Sequence, residues 1–442
     1  AITYSEAGPY KSGDSITITA TFNEAVQDSP VPQIAISGAN SVSATNMAKT
    51  STTVYTYSHT VGSGDGTATV SMATAQDVDT NVVNSAPSSG ATFTVDNTAP
   101  TFTADRTALN TIVLTFNEVV TGSAISGSFT VAGSGTVTNT APSSSTTVTL
   151  TTSGLTSTSS TPAVNYVAAT GDIADAGTNE VANGGAVSAT DSVPPTFTAE
   201  RTAVDTITLT FSENVDADSA NENLAWTVSG GTVTANTDPA GSSTSMTLTT
   251  SGITDSSATP TVTYTQAAGT TLDTASNEVA NGGNAVATDS VAPTVTGVDT
   301  TESDGSFGEG ETIDITITFD EAVTVTGTPQ LTVATGDSNT VVDYASGSGT
   351  NTLTFNYVVA NGDYVTDLDY LGTNALALNS GVIQDVAGND ATVTLVAAGA
   401  DGSLGANKNI LVDGIIPTVS NVSAANADGL YMIGDSIVIT VT

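Results

Sequence analysis

Residues 95–107 read VDNTAPTFTADRT: an acidic connector, a proline, then alternating apolar and polar side chains. The stretch returns as TDSVPPTFTAERT at 190–202 and more loosely as TDSVAPTVTGVDT at 288–300. Proline fixes φ and has no amide hydrogen to give a ladder, so it suits the entry to a strand and not its middle. The residues after it keep the two-residue period of a half-buried strand. The prolines behind each acidic connector, Pro100, Pro195, Pro293 and Pro417, fall at steps of 95, 98 and 124 residues. Those are lengths of small sandwich domains, too long for solenoid turns.

Two further words keep the same register. TFNEAV (21–26), TFNEVV (115–120), TFSENV (210–215) and TFDEAV (318–323) follow each strand entry. DVDTN (77–81), DAGTN (175–179), DTASN (273–277) and DVAGN (385–389) come near each repeat's end. One plan therefore recurs four times, placing domains at 1–98, 99–193, 194–291 and 292–415, with the start of a fifth at 416–442. The chain is expected to be a segment of a longer array. The second and third repeats share TLTTSG and EVANGG, whereas the first, fourth and fifth share a turn on Gly13-Asp14, Gly310-Glu311 and Gly434-Asp435.

TIVLTF, TITLTF, SITITATF and TIDITITF alternate apolar residues with Thr or Asp, and the branched side chains suit a pleated surface. Clusters of Gly, Ser and Asn supply turns, and no segment carries helical periodicity with caps. The expected fold is all-β: a tandem array of immunoglobulin-like β-sandwich domains. The periodic strands and 38% hydrophobic content argue against a disordered Ser/Thr tract.

The charge is unusual for its missing cations. Against 44 Asp and Glu stand Lys11, Lys49, Arg106, Arg201 and Lys408, a net charge of −39. Such a chain repels itself unless counter-ions or bound metal neutralise it, and it would repel nucleic acid. With no cysteine, disulfides and thiolate metal sites are excluded. No run approaches the roughly 18 to 20 apolar residues of a membrane helix. The single histidine, His59, sits in an alternating strand with no nucleophile elbow anywhere, and the single tryptophan, Trp226, reads as a core residue. The chain is not expected to be an enzyme.

DNTAPTFT, TFNEAV and DVAGND resemble the Ig-like repeats strung together in bacterial and archaeal surface proteins. The Thr/Ser/Ala/Val-rich acidic composition is most similar to the S-layer proteins of ammonia-oxidising archaea. The resemblance implies an extracellular location in the cell envelope and self-association into a two-dimensional lattice. An adhesin or stalk that extends a binding domain, or an accessory module of a secreted enzyme, would use the same repeats. The sequon Asn421-Val422-Ser423 offers one glycosylation acceptor in an exported protein.

Following the chain through an Ig-like sandwich brings the three words to one pole. The first strand leaves that pole and the second returns, so Glu118 is expected in the loop after it, beside Asp175 and the connector residue Asp96. The same route gathers Asp191, Glu213 and Asp273, then Asp289, Glu321 and Asp385. Glu24 and Asp77 form an incomplete set for a connector outside the chain, and Asp413 is a connector waiting for partners. Carboxylates with backbone and Asn carbonyls, and no His or Cys, are hard oxygen donors suited to calcium, and less to magnesium with its tight octahedron. Divalent and small cations are thus the expected ligands. The alternative is that these acids only build turns. The acidic runs at 216–223 and 301–311 match no EF-hand spacing and read as solvated loops.

Overall fold

A computed structural model of the protein describes residues 1–124, 127–217, 222–237, 242–336 and 338–442. Strands dominate, and the described residues add only two single-turn helices, Glu222–Ala225 and Leu404–Asn407. The chain forms two compact units. The first is Ala1–Pro195 with Ser212–Asp216 and Leu272–Val279, and the second is Thr196–Phe211, Ala217–Thr271 and Ala280–Thr442. Both consist of tandem immunoglobulin-like β-sandwiches.

In the first unit, Ile2–Tyr4, Ser15–Thr21, Val54–Thr60 and Ala48–Lys49 form one layer. Val42–Asn46, Gln33–Gly38, Gly66–Thr74 and Thr92–Val95 form the other. Alternation sends Ile16, Ile18, Ile34, Ile36, Val70 and Phe93 into the space between. Next along the chain, Val137–Asn139, Ser145–Thr152, Thr111–Val120, Phe102–Ala108 and Thr190–Asp191 face Phe129–Val131, Ala163–Tyr166 and Gly184–Ser188. Ile112, Leu114, Val148, Leu150 and Tyr166 fill that core. His59 is buried, with Nε2 2.7 Å from Asn40 Oδ1, a satisfied core residue whose pKa is lowered by burial.

In the second unit, Trp226 packs its ring against Phe197, Phe211 and Tyr264, with centroids 4.9, 6.0 and 4.8 Å away. The sandwich nearest the C-terminus is built on the long strand Thr312–Thr326 and holds a large buried cluster, including Ile313, Ile315, Ile317, Leu353 and Phe355.

A parallel pairing recurs, and it positions the candidate site. The last strand of a sandwich runs beside an early strand: Thr190–Asp191 beside Phe102–Ala108, Asn284–Asp289 beside Phe197–Ala203, and Ile410–Asp413 beside Gly305–Gly308. Tyr10 and Val95 make the corresponding bridge near the N-terminus. In each case the strand ends at, or one residue before, the connector aspartate. The shared turns are also alike: Lys11, Gly308 and Met432 amides donate to Asp14, Glu311 and Asp435 carboxylates at 2.9, 2.6 and 2.6 Å. The intervening Gly13, Gly310 and Gly434 have φ of 95°, 86° and 105°, where glycine avoids a Cβ clash.

Candidate metal centres

Three times the structure brings one carboxylate from each sequence word together. Asp96, Glu118 and Asp175 form one triad, Asp191, Glu213 and Asp273 the second, and Asp289, Glu321 and Asp385 the third. Within each, one oxygen per residue lies within 4.8 Å of the others. The first two triads lie wholly in the first unit and the third wholly in the second.

Each connector aspartate is fixed by its own turn. Oδ1 accepts the amide two residues on: Thr98 at 3.1 Å, Val193 at 3.0 Å, Val291 at 3.0 Å and Ile415 at 3.2 Å. Such a turn leaves the second carboxylate oxygen outside the bond.

The glutamates depart from expectation. Glu118, Glu213 and Glu321 lie within strands, Thr111–Val120, Thr206–Asp216 and Thr312–Thr326, and not in loops after them. The pairing register breaks between Thr115 and Val120, and again between Thr318 and Val323, so Glu118 and Glu321 occupy bulges that re-aim their side chains. Two residues on, the buried Val120, Val215 and Val323 lock the strand into the core. The strand then pairs with the acidic loop, through Thr121 to Ala174, Val215 to Asp273, and Thr324 to Gln384.

The third word is a closed loop built by its aspartate. Asp77, Asp175, Asp273 and Asp385 take the amide of the Asn four residues on into Oδ1 at 2.8, 2.9, 2.8 and 2.8 Å. They take that Asn's Nδ2 into Oδ2 at 2.6, 2.9, 2.9 and 2.7 Å. The residue before the Asn is left-handed, with φ of 72° at Thr80, 65° at Thr178, 71° at Ser276 and 96° at Gly388. The amide nitrogen of this Asn clamps loop to connector. Nδ2 of Asn179, Asn277 and Asn389 also donates to the carbonyls of Asp96, Asp191 and Asp289 at 3.0, 3.0 and 3.3 Å.

Crowding of like charge is evident in the carboxyls. Burial, then Asp175 and Asp96, push Glu118 up; burial, then Asp273 and Asp191, push Glu213 up. Asp191 and Asp289 are raised mainly by burial. Glu321 is pushed up to about 7 by burial, with Asp289, Asp385 and Asp320 adding to the rise. The Thr158 and Ser256 hydroxyls ease the shifts of Glu213 and Glu321 without reaching hydrogen-bond geometry. Glu213, 4% exposed, has both carboxylate oxygens buried without a partner, and Glu321, 6% exposed, has one. An ionised oxygen so placed costs several kcal/mol, about the penalty that drives such groups to neutralise or take a cation. The titratable donors are carboxylates, with no His or Cys among them, which fits a hard cation such as calcium.

Two residues whose role was not read from the sequence complete the picture. Arg106 and Arg201 are fully buried. Arg106 spends five bonds on carbonyls: Nε and one terminal nitrogen on Leu109, that same nitrogen on Ser157, and the other on Thr158 and Ser160, at 2.6 to 3.3 Å. Arg201 donates to the carbonyls of Val204, Asp255, Ser256 and Ala258 at 2.6 to 3.2 Å. They stand directly opposite Asp191 and Asp289 in the parallel pairings and hold those carboxyls down electrostatically; Arg106 does the same for Glu213. The available signal was that the chain's only two arginines occupy one position of the repeated FTADRTA and FTAERTA.

Glu24 and Asp77 line a cleft of about 700 Å³ with Phe22, Val26, Met72 and Asn81, and Asp77 keeps the same loop geometry. Asp413 is exposed and belongs to no acidic triad among the described residues. Within the 301–311 run, Glu311 accepts the Gly308 amide in its own turn, and Asp304 accepts the distant Asn409 amide. Of the 216–223 run, residues 218–221 lie outside the described residues.

No family model and no curated protein matches the sequence. Among solved structures, the chain is similar to an I-band fragment of titin at 9% identity, covering 72% of this chain and all of that one, with a TM-score of 0.22. It is similar to the S-layer protein SbsC at 14% identity, covering 99% of this chain and 62% of that one, with a TM-score of 0.16. Scores this low leave the fold assignment to the sheets themselves.

Proposed function

We infer that this chain is a structural segment of an extracellular cell-surface protein whose sandwich repeats are tied together by calcium at the acidic triads. The carrying observation is the threefold recurrence of a triad made from the same three sequence words. Each triad gathers a connector, a strand and a closed loop. A cation held by all three would oppose their separation, and the connector would lose freedom on binding. Copies of the protein assemble laterally into an S-layer lattice, in keeping with the resemblance of the repeats to surface-array proteins. The acidic surface, with 44 acids to five Lys and Arg, concentrates small cations and repels anions around the lattice openings.

Electron microscopy of the native envelope, with millimolar-scale calcium and again after chelation, tests this reading. Ordered sheets that dissolve on chelation are expected. Isolated extended particles in both conditions would contradict the lattice and favour an adhesin or stalk.

A further inference from the structure

The triads differ in the positive charge beside them. Arg106 and Arg201 accompany the second and third, fully buried, whereas the cation nearest the first triad's loop is Lys11, whose ammonium donates to the Thr178 carbonyl at 3.1 Å in an exposed position. All five Arg106 bonds go to backbone carbonyls, so the guanidinium contributes its charge without occupying a carboxylate oxygen. Arginine stays ionised under these conditions and is weakly hydrated, which suits a fixed buried charge. Glu213, with both oxygens buried and unpartnered, stays available to an ion.

We propose that Arg106 and Arg201 are built-in counter-charges that set which cations the triads accept. This rests on the cation reading above. Three carboxylates and one buried guanidinium leave two formal negative charges at the second and third triads, which one divalent cation balances; the neighbouring Asp105, Asp255 and Asp320 make exposed hydrogen bonds and are screened by water. The first triad keeps three, with water screening its lysine, and so tilts toward ions of higher charge. One additional unit of ionic charge roughly 10 Å from a buried guanidinium, at an effective dielectric constant near 20, corresponds to about a tenfold change in preference.

The test uses the full chain with two triads disabled at a time by Glu→Gln substitution, and calorimetric titration with calcium and with terbium(III). A chain retaining only the first triad (Glu213→Gln, Glu321→Gln) is expected to prefer terbium over calcium about tenfold more than one retaining only the second (Glu118→Gln, Glu321→Gln). Adding Arg106→Met to the latter should raise its terbium preference toward that of the first triad, while Arg106→Lys should leave it in place. Equal preferences in the two single-triad chains would overturn the counter-charge role, and they are measured without touching the arginine. An equal shift from Arg106→Met and Arg106→Lys would also overturn it, since charge would then not be the cause. If neither single-triad chain binds either ion better than the triple Glu→Gln chain, the cation reading itself fails.

Discussion

The first triad and the second belong to the same unit and use the same words, yet their chemistry differs. Glu118 is half-buried and has no buried arginine beside it; Glu213 is buried with both oxygens unpartnered, and Arg106 stands opposite its neighbour Asp191. Repetition of sequence thus fixed where the carboxylates meet, and local packing fixed how strongly they need neutralising. A duplicated motif is a shared geometry, and its electrostatics are decided repeat by repeat.

Removing the buried cation should separate the two triads most sharply. Arg106→Ala leaves the carbonyls of Leu109, Ser157, Thr158 and Ser160 without their donor and is expected to cost about 3 to 5 kcal/mol in urea unfolding. Lys11→Ala, beside the first triad, should change stability by less than about 1 kcal/mol. Comparable losses would erase the distinction.

Calcium at a hundred times its dissociation constant should stabilise each occupied triad by about 2.7 kcal/mol, read as a rise in melting temperature that chelator reverses. Glu213→Gln in calcium-free protein should stabilise more than Glu118→Gln, because it removes a buried charge that has no partner. The reverse order would sink the comparison.

The pH dependence follows from the raised carboxyls. A group with a higher pKa folded than unfolded gives stability that is complete below its unfolded value and is lost as pH rises toward the folded one. In calcium-free protein, stability should therefore fall from about pH 4.5 to 7 as Glu321 ionises, and Glu321→Gln should flatten that slope. Saturating calcium should remove it, because the bound ion favours the ionised carboxylate.

The clamp is common to all triads, so Asn179→Ala and Asn277→Ala should cost similar amounts, about 1 to 2 kcal/mol each. The smallest effect belongs to the left-handed positions. Thr178→Gly and Ser276→Gly should be neutral or stabilising by up to about 1 kcal/mol, as glycine tolerates that φ.

Much of this was legible in the sequence, for a physical reason. The connector aspartates and the DxxxN loops are local structures, set by a strand end and a self-bonded turn, and the two-residue period carries both to the same pole. Placement of the glutamates within strands was not legible, because a bulge depends on which strand pairs across from it. The clamping role of Asn179, Asn277 and Asn389 was not legible, because sequence shows an amide and not which end of it faces the carboxylate. Arg106 and Arg201 escaped because their partners are backbone carbonyls of the 157–160 and 255–258 loops, which carry no side-chain signature.

Calcium titration of the intact chain by isothermal calorimetry counts the occupied triads. One specific site is expected for each of the three triads, with Glu118→Gln, Glu213→Gln and Glu321→Gln each removing one. Binding that is weak, unsaturable and unchanged by all three substitutions would contradict it.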